Sequence, residues 1–253
     1  MTYIENLRAD TKKLPNGKVF NARINFMEHA CEALSNNELP KYHFPQFQLS
    51  EKEITSYLEN NISLDEIEFQ AMSADLNTFD HDLGEFRTYL QTRFGYWATI
   101  TKDFMKEWAD DFGDAKYLEV MAGNGYISKE LQALGRSSIC TDNKSWAKQS
   151  KTGHDTLVDI EGLDALSAID KYHEQVDYVI LAWSPDRDVV DYDILQKIRE
   201  YGLMLIVIGE KYGATNSKKF WDNSEFVDYG PIDKLNSIYS SYDLVHDKVY
   251  LVK

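Results

Sequence analysis

The residues best suited to chemistry lie at the ends of short apolar runs in the second half of the chain. The run Tyr117–Ser128, YLEVMAGNGYIS, stops in Gly-Asn-Gly and passes directly into a helical pattern. Gly123 and Gly125 let the backbone approach a ligand, and the helix start behind them offers unpaired N–H groups with a partial positive charge. A second run, SSICTD, ends at Asp142, 17 positions after Gly125. A carboxylate so placed accepts both hydroxyls of a ribose. A third run, DTLVDIEG, carries Asp159; a fourth closes in AWSPD, Ala182 to Asp186; a fifth ends at Glu210, ahead of KYGATNSKK. One G-x-G is equally satisfied by a bare strand-to-helix turn, and a single acid by a solvated loop. Acids at two successive strand ends beside a glycine turn point instead to a nucleoside site.

These positions need a scaffold that gathers strand ends on one side. From Ala115, the runs KYLEVM, SSICTD, VDYVILAW and LMLIVIGE are short and β-rich, as in strands buried on both faces. SKELQALG, DALSAIDKYHE and DYDILQKIREYG separate them with helical patterns. That alternation predicts an α/β fold with a doubly wound, mostly parallel sheet, whose ligands sit beyond the carboxyl ends of the strands. The closing SIYSSYDLVHDKVYLVK reads as two β-rich runs around a turn at Asp247, an antiparallel finish.

Residues 1–111 read as a helical N-terminal region, set apart from a ligand-binding domain over 112–253. In NARINFMEHACEALSNN, the residues Ile24, Met27, Cys31 and Leu34 form one apolar helical face. LSEKEITSYLEN opens with a capping box, Ser50 with Glu53, and Leu49 and Ile54 have the spacing of a hydrophobic staple. SLDE, Ser63 to Glu66, repeats the capping pattern. The stretch from Phe86 to Trp108 places aromatics at helical spacing with a break at Gly95, as a helix pair packed on a core would. Tyr96 and Trp97, just after the break, are the aromatics best placed for a ligand.

Composition narrows the partners. The 43% hydrophobic and 13% aromatic content can fill a large core, so a folded chain is expected. The formal charge of −15 repels phosphate backbones at long range, and Lys and Arg do not cluster, which disfavours nucleic acid relative to a small molecule or a cationic group. No apolar run approaches the roughly 20 residues of a membrane span, and the N-terminus lacks a signal-peptide pattern. Cys31 and Cys140 suggest no disulfide framework, so a cytoplasmic location is the default expectation.

Other chemistries lack their residues. The histidines show no H-x-x-x-H spacing, and Asp80–Asp82, DHD, reads as a polar loop; no metal site is expected. G-x-S-x-G, P-loop and kinase signatures do not occur. Lys218 and Lys219 after GATNS suggest an anion cradle, but Thr215 or Ser217 as an ordinary N-cap accounts for the pattern.

The dinucleotide fingerprint asks for a third glycine or alanine where this chain has Ser128. Glu119 lies four residues before Gly123, and E-x-x-x-G-x-G, with TD, VDI and AWSPD after the following strands, resembles the class I S-adenosylmethionine-dependent methyltransferases. The resemblance covers about Lys116 to Lys253 and includes the antiparallel hairpin that ends the sheet in that family. It implies a Rossmann-like, seven-stranded sheet and S-adenosylmethionine as cofactor. Glu119 would orient the loop or receive the methionine amino group, directly or through water. Ala122, Gly123 and Gly125 would line the methionine part, and Asp142 would hold the ribose. Asp159 would accept from the adenine amino group, with the Ile160 N–H and side chain on the ring. Ala182 and Trp183 would close the site beside the sulfonium. Met121 replaces a glycine common in that family and narrows the space under the methionine.

AWSPD lacks the second proline and the aromatic of the amino-group methyltransferase motif, which disfavours adenine N6 methylation. Ser184 and Asp186 are the catalytic candidates there; Asp186 as a general base competes with a plain helix-capping role. The expected function is methyl transfer to a small molecule or protein side chain, with residues 1–111 as a lid that shapes substrate access. A degenerate cofactor-binding domain serving a partner protein is the rival. An NAD-dependent oxidoreductase is disfavoured by Ser128 and by the terminal hairpin.

Overall fold

The computed structural model describes residues 2–145, 156–239 and 241–253. Among the described residues six α-helices precede the first strand: α1 (Tyr3–Lys13), α2 (Asn21–Ser35), α3 (Glu51–Asn60), α4 (Glu66–Gly84), α5 (Phe86–Phe94) and α6 (Lys102–Phe112). The expected box at α3 forms: Glu53 N–H donates to Ser50 Oγ, and Ser50 N–H donates to Glu53 Oε2 at 2.8 Å. At α4 the cap lies two residues later than SLDE suggests. Asp65 caps and Glu68 reaches back, because Asp65-x-x-Glu68 satisfies the same pattern with a carboxylate acceptor. The DHD triplet lies within α4, not in a loop, and Asp80 accepts from the Leu49 N–H at 2.6 Å.

Strands and helices then alternate: β1 (Lys116–Glu119), α7 (Tyr126–Ala133), β2 (Ser137–Cys140), α8 (Ala165–Tyr172), β3 (Tyr178–Ala182), α9 (Val190–Tyr201), β4 (Met204–Gly209), α10 (Lys218–Asn223), α11 (Gly230–Ile238) and β5 (Lys248–Val252). The order across the sheet is β2-β1-β3-β4-β5, parallel except for β5, which runs antiparallel to β4. This is a Rossmann-like α/β fold with a mixed sheet. Alternate residues along the strands feed two cores, so the sheet is covered on both sides. Val179, Leu181, Leu205 and Val207 pack with the buried faces of α8 and α9. Ile180, Ile206 and Ile208 join the core built with the N-terminal helices. There Trp108 of α6 meets Tyr117 of β1 at 6.1 Å between ring centroids, and Phe112 meets Tyr178 at 5.4 Å. Burying each such side chain is worth about 1.5–3 kcal/mol.

Two expectations about the sheet are corrected. Among the described residues it has five strands, not seven. DTLVDIEG, whose Asp155 lies outside the described residues, makes only a single parallel bridge, Thr141 with Glu161. The chain bends at Leu157–Val158 and turns toward α8 soon after Glu161, leaving too little straight backbone for a ladder. Among the described residues the terminal hairpin does not form either. Ser237 and Ile238 end α11, and only Lys248–Val252 of the closing run is a strand. Its short antiparallel companion lies earlier, where Glu225 and Lys253 exchange backbone bonds and Val227 N–H donates to Leu251 O. Asp247 makes no exposed turn: it is buried and accepts from the Tyr239 hydroxyl at 2.7 Å.

Candidate functional site

At the carboxyl end of β1 the chain visits the left-handed region three times within five residues: Met121 (φ +52°), Gly123 (φ +59°) and Gly125 (φ +79°). A methionine rarely tolerates this, so the turn is held by its surroundings. Gly125 N–H donates to Ala122 O at 2.9 Å, and Ala122 N–H donates to Thr141 O at 3.2 Å, curling the turn over the end of β2.

Each of the first two strand ends supplies an acid to this turn. Asp142, 3% exposed, accepts from Gly123 N–H at 2.8 Å and from Lys144 N–H at 2.6 Å. Glu119, also 3% exposed, accepts from Ser128 N–H in the first turn of α7 at 2.8 Å. Burial pushes the Glu119 carboxyl up to about 7, and the nearby Asp142 charge adds to the rise; hydrogen bonds from Ser128 and Cys140 oppose it. Ser128, at the third fingerprint position, is buried, and its hydroxyl meets that of Ser138 at 2.8 Å, so α7 packs on β2 through a serine pair.

A cavity of about 780 Å³ opens above these strand ends, within the range of roughly 300–1,000 Å³ typical of small-molecule sites. Of the expected residues, Glu119, Ala122, Gly123, Asp142, Ala182, Trp183, Ser184 and Asp186 line it. Gly125, Asp159 and Ile160 do not. A Cβ on Gly125 would lie 2.9 Å from Val158 Cγ2 and 3.2 Å from Cys140 Sγ, so its bareness serves internal packing. Leu157 N–H donates to Asn124 O at 3.0 Å, which closes that segment against the turn, and Asp159 is left exposed. Because the bridge to Thr141, just past β2, falls at Glu161, the chain reaches the cavity later, through Leu163, Asp164, Ala165 and Leu166. Asp164 also caps α8, accepting from Ser167 N–H at 3.0 Å.

The wall after β3 is held by a cluster that local sequence patterns do not reveal. Trp183 has φ +54° and donates from Nε1 to Asp247 Oδ2 at 2.8 Å. The Arg87 guanidinium lies 4.9 Å from the Trp183 ring and 4.6 Å from that of Tyr242, and it forks onto Asp243 at 2.5 and 3.0 Å. Burial raises the Asp247 carboxyl above the usual range, while Arg87, Tyr239 and Trp183 pull it back. Asp186 is half-exposed beside Arg187 and does not cap α9; Val190 N–H donates to Asp188 at 3.1 Å instead.

The N-terminal region contributes Gly95, Trp97, Ala98 and Ile100 to the lining, with the Trp97 ring 6.3 Å from that of Trp183. Trp97 is 43% exposed, whereas Tyr96 is buried with its hydroxyl bonded to Ile100 O. At the base of α10, Ser217 is the N-cap, and Lys218 pairs with Asp222. No cluster of metal-ligating side chains, and no helix long and apolar enough to cross a membrane, occurs among the described residues.

No protein-family model and no curated protein sequence matches the chain. Its fold is similar to solved structures at low identity. A protein of the NADB-Rossmann superfamily from Streptococcus agalactiae is 17% identical, over 59% of this chain and 67% of that one, with a TM-score of 0.37. A SAM dependent methyltransferase from Archaeoglobus fulgidus is 13% identical, over 66% of this chain and 98% of that one, with a TM-score of 0.36. The bifunctional kinase-methyltransferase WbdD is 12% identical, over 60% of this chain, with a TM-score of 0.37; the match spans 38% of WbdD. At such scores the likeness carries no argument about chemistry, which rests on this chain's own residues.

Proposed function

We propose that the chain is an S-adenosylmethionine-dependent methyltransferase whose acceptor is a small molecule or a protein side chain. One observation carries the reading: the Asp142 carboxylate is tied to the glycine turn through Gly123 N–H and stands with it on the wall of one cavity. That sets a carboxylate acceptor for ribose hydroxyls beside a bare glycine turn along which an amino-acid tail would lie.

The residues present fit such a cofactor. Asp142 stands on the cavity wall as a carboxylate, the acceptor that ribose hydroxyls need. Glu119 faces the same space, and a bound ammonium group would draw its raised pKa down and fix it as a carboxylate. Ala122 and Gly123 leave room for the methionine part. The adenine place passes from Asp159 and Ile160 to Leu163, Asp164 and Leu166, which line the cavity. When bound, the cofactor supplies a methyl group on a positively charged sulfur, electrophilic without further activation. The chain's task is then to hold the acceptor in line and exclude water, which the neighbouring indoles of Trp97 and Trp183 do. Residues 1–111 act here as the lid that shapes substrate access.

Thermal unfolding with S-adenosylhomocysteine and with NAD tests this reading. A ligand at a hundred times its Kd stabilises the fold by about 2.7 kcal/mol. S-adenosylhomocysteine is expected to raise the midpoint and NAD to leave it unchanged; a shift with NAD alone would overturn the proposal. Transfer of a labelled methyl group then separates an enzyme from a domain that only binds.

A further inference from the structure

The part of the cavity beyond the glycine turn has a chemistry of its own. Its wall is made by Trp97, Trp183, Ser184, Asp186 and Asp188. The two indoles stand 6.3 Å apart between centroids, inclined at 44°. Trp183 is fixed in place by its bond to Asp247 and by the Arg87 guanidinium on its ring, so one aromatic surface is rigid while Trp97 is exposed. Ser184 is only 1% exposed, and its hydroxyl has no hydrogen-bond partner. That oxygen is closed off from the cavity, so the surface offered to a ligand is that of the indoles and the acids.

The charge is of one sign. Glu119, Asp142, Asp164, Asp186 and Asp188 line the cavity, and among the described residues no Lys, Arg or His does. Carboxylates focused in a cleft raise the local concentration of cations and repel anions. Aromatic faces attract an ammonium group through the ring quadrupole.

We infer that this mouth recognises an organic amine, protonated in free solution. Its ammonium group lies against the indoles of Trp97 and Trp183, and its charge is balanced by Asp186 and Asp188. Carboxylates, phosphates and nucleic acids are rejected by the same acids. The amine site rests on the cavity alone; its role as methyl acceptor rests on the methyltransferase reading. Either a free amine or a lysine side chain has this chemistry.

Binding to the full chain, followed by tryptophan fluorescence with and without saturating S-adenosylhomocysteine, tests the inference. The probes are 2-phenylethylamine, the isosteric 2-phenylethanol, phenylacetate, and Nα-acetyl-lysine methylamide. The expected result is that at least one of the two amines binds about fivefold or more tighter than the alcohol, with phenylacetate weakest. That margin should shrink at high salt and disappear in Trp97→Ala and in the double variant Asp186→Asn/Asp188→Asn, all three side chains being exposed enough to change without unfolding the core. The tighter of the two amines identifies the source.

Equal binding of amine and alcohol, tighter binding of phenylacetate, or a margin that survives these variants would overturn the inference. S-adenosylhomocysteine binding on the same sample keeps the two ideas separate. If it binds and the amine preference is absent, the inference falls and the methyltransferase reading stands. If the preference holds and S-adenosylhomocysteine does not bind, the amine site stands without that reading.

Discussion

Glu119→Gln should reveal the cost of the buried acid. The carboxyl titrates at about 7 in the folded chain against 4.5 for the unperturbed group, chiefly because burial disfavours its charge. Between those two pH values the folded state holds a proton that the unfolded state has released. Stability therefore falls as pH rises through this window, and the loss is complete above about 7. The gap corresponds to about 3 kcal/mol as an upper bound. Glutamine cannot ionise, yet its oxygen can accept from Ser128 N–H as the carboxylate does. Urea unfolding at pH 5 and pH 8 for both proteins measures the effect as a double difference, which cancels the titration of every other group. The variant should gain up to about 2.5 kcal/mol over the natural chain on going from pH 5 to pH 8, since pH 5 already lies above the unfolded value. Parallel pH dependences in the two proteins would refute the assignment of a raised pKa to Glu119.

The other predictions concern the elements around the site. Arg87→Ala should destabilise by about 3–5 kcal/mol in urea unfolding, because it leaves the Asp243 and Asp247 carboxylates buried without their cation. Its effect on the tryptophan emission spectrum should report the loosening of Trp183. Gly125→Ala should cost more than Gly135→Ala. Both sites have positive φ, worth about 1–2 kcal/mol for a side chain, but only the Gly125 Cβ would meet Val158 and Cys140, whereas that of Gly135 meets nothing within 4 Å. Equal losses in chemical unfolding would count against the tight packing of the turn. Ser50→Ala should cost about 1 kcal/mol through loss of the α3 cap, and Ser63→Ala almost nothing, since Asp65 is the cap of α4.

What could be read in advance followed how locally each feature is encoded. The first strand, its glycine turn and the following helix are one short run, with Glu119 and Asp142 placed by neighbouring strands in register, Glu119 opposite Cys140. The position of Asp159 is different in kind. Where the third segment meets the sheet depends on the bridge of Glu161 to Thr141, and the cavity contacts fall at Leu163 and Asp164, four and five residues past Asp159. The closing run misleads for a similar reason. Alternating apolar residues from Ile238 to Val252 fit a hairpin, but Tyr239, Tyr242 and Asp247 are drawn inward to a buried arginine that the local pattern does not show. Arg87 and Asp243 are separated by 156 residues, and only the folded chain brings them behind Trp183. The helical spacing from Phe86 to Trp108 was legible as core, and the break at Gly95 marked the point where Trp97 leaves it for the cavity.

Isothermal titration with S-adenosylhomocysteine, on the natural chain and on Asp142→Asn, tests most directly whether this cavity is a cofactor site. The amide side chain would keep one acceptor for the backbone and lose the charge that favours ribose hydroxyls. One site per chain and a loss of about tenfold or more in the variant are expected, from a charged hydrogen bond worth about 1.5–3 kcal/mol. Absence of binding to the natural chain, or equal affinity in the two proteins, would contradict the account.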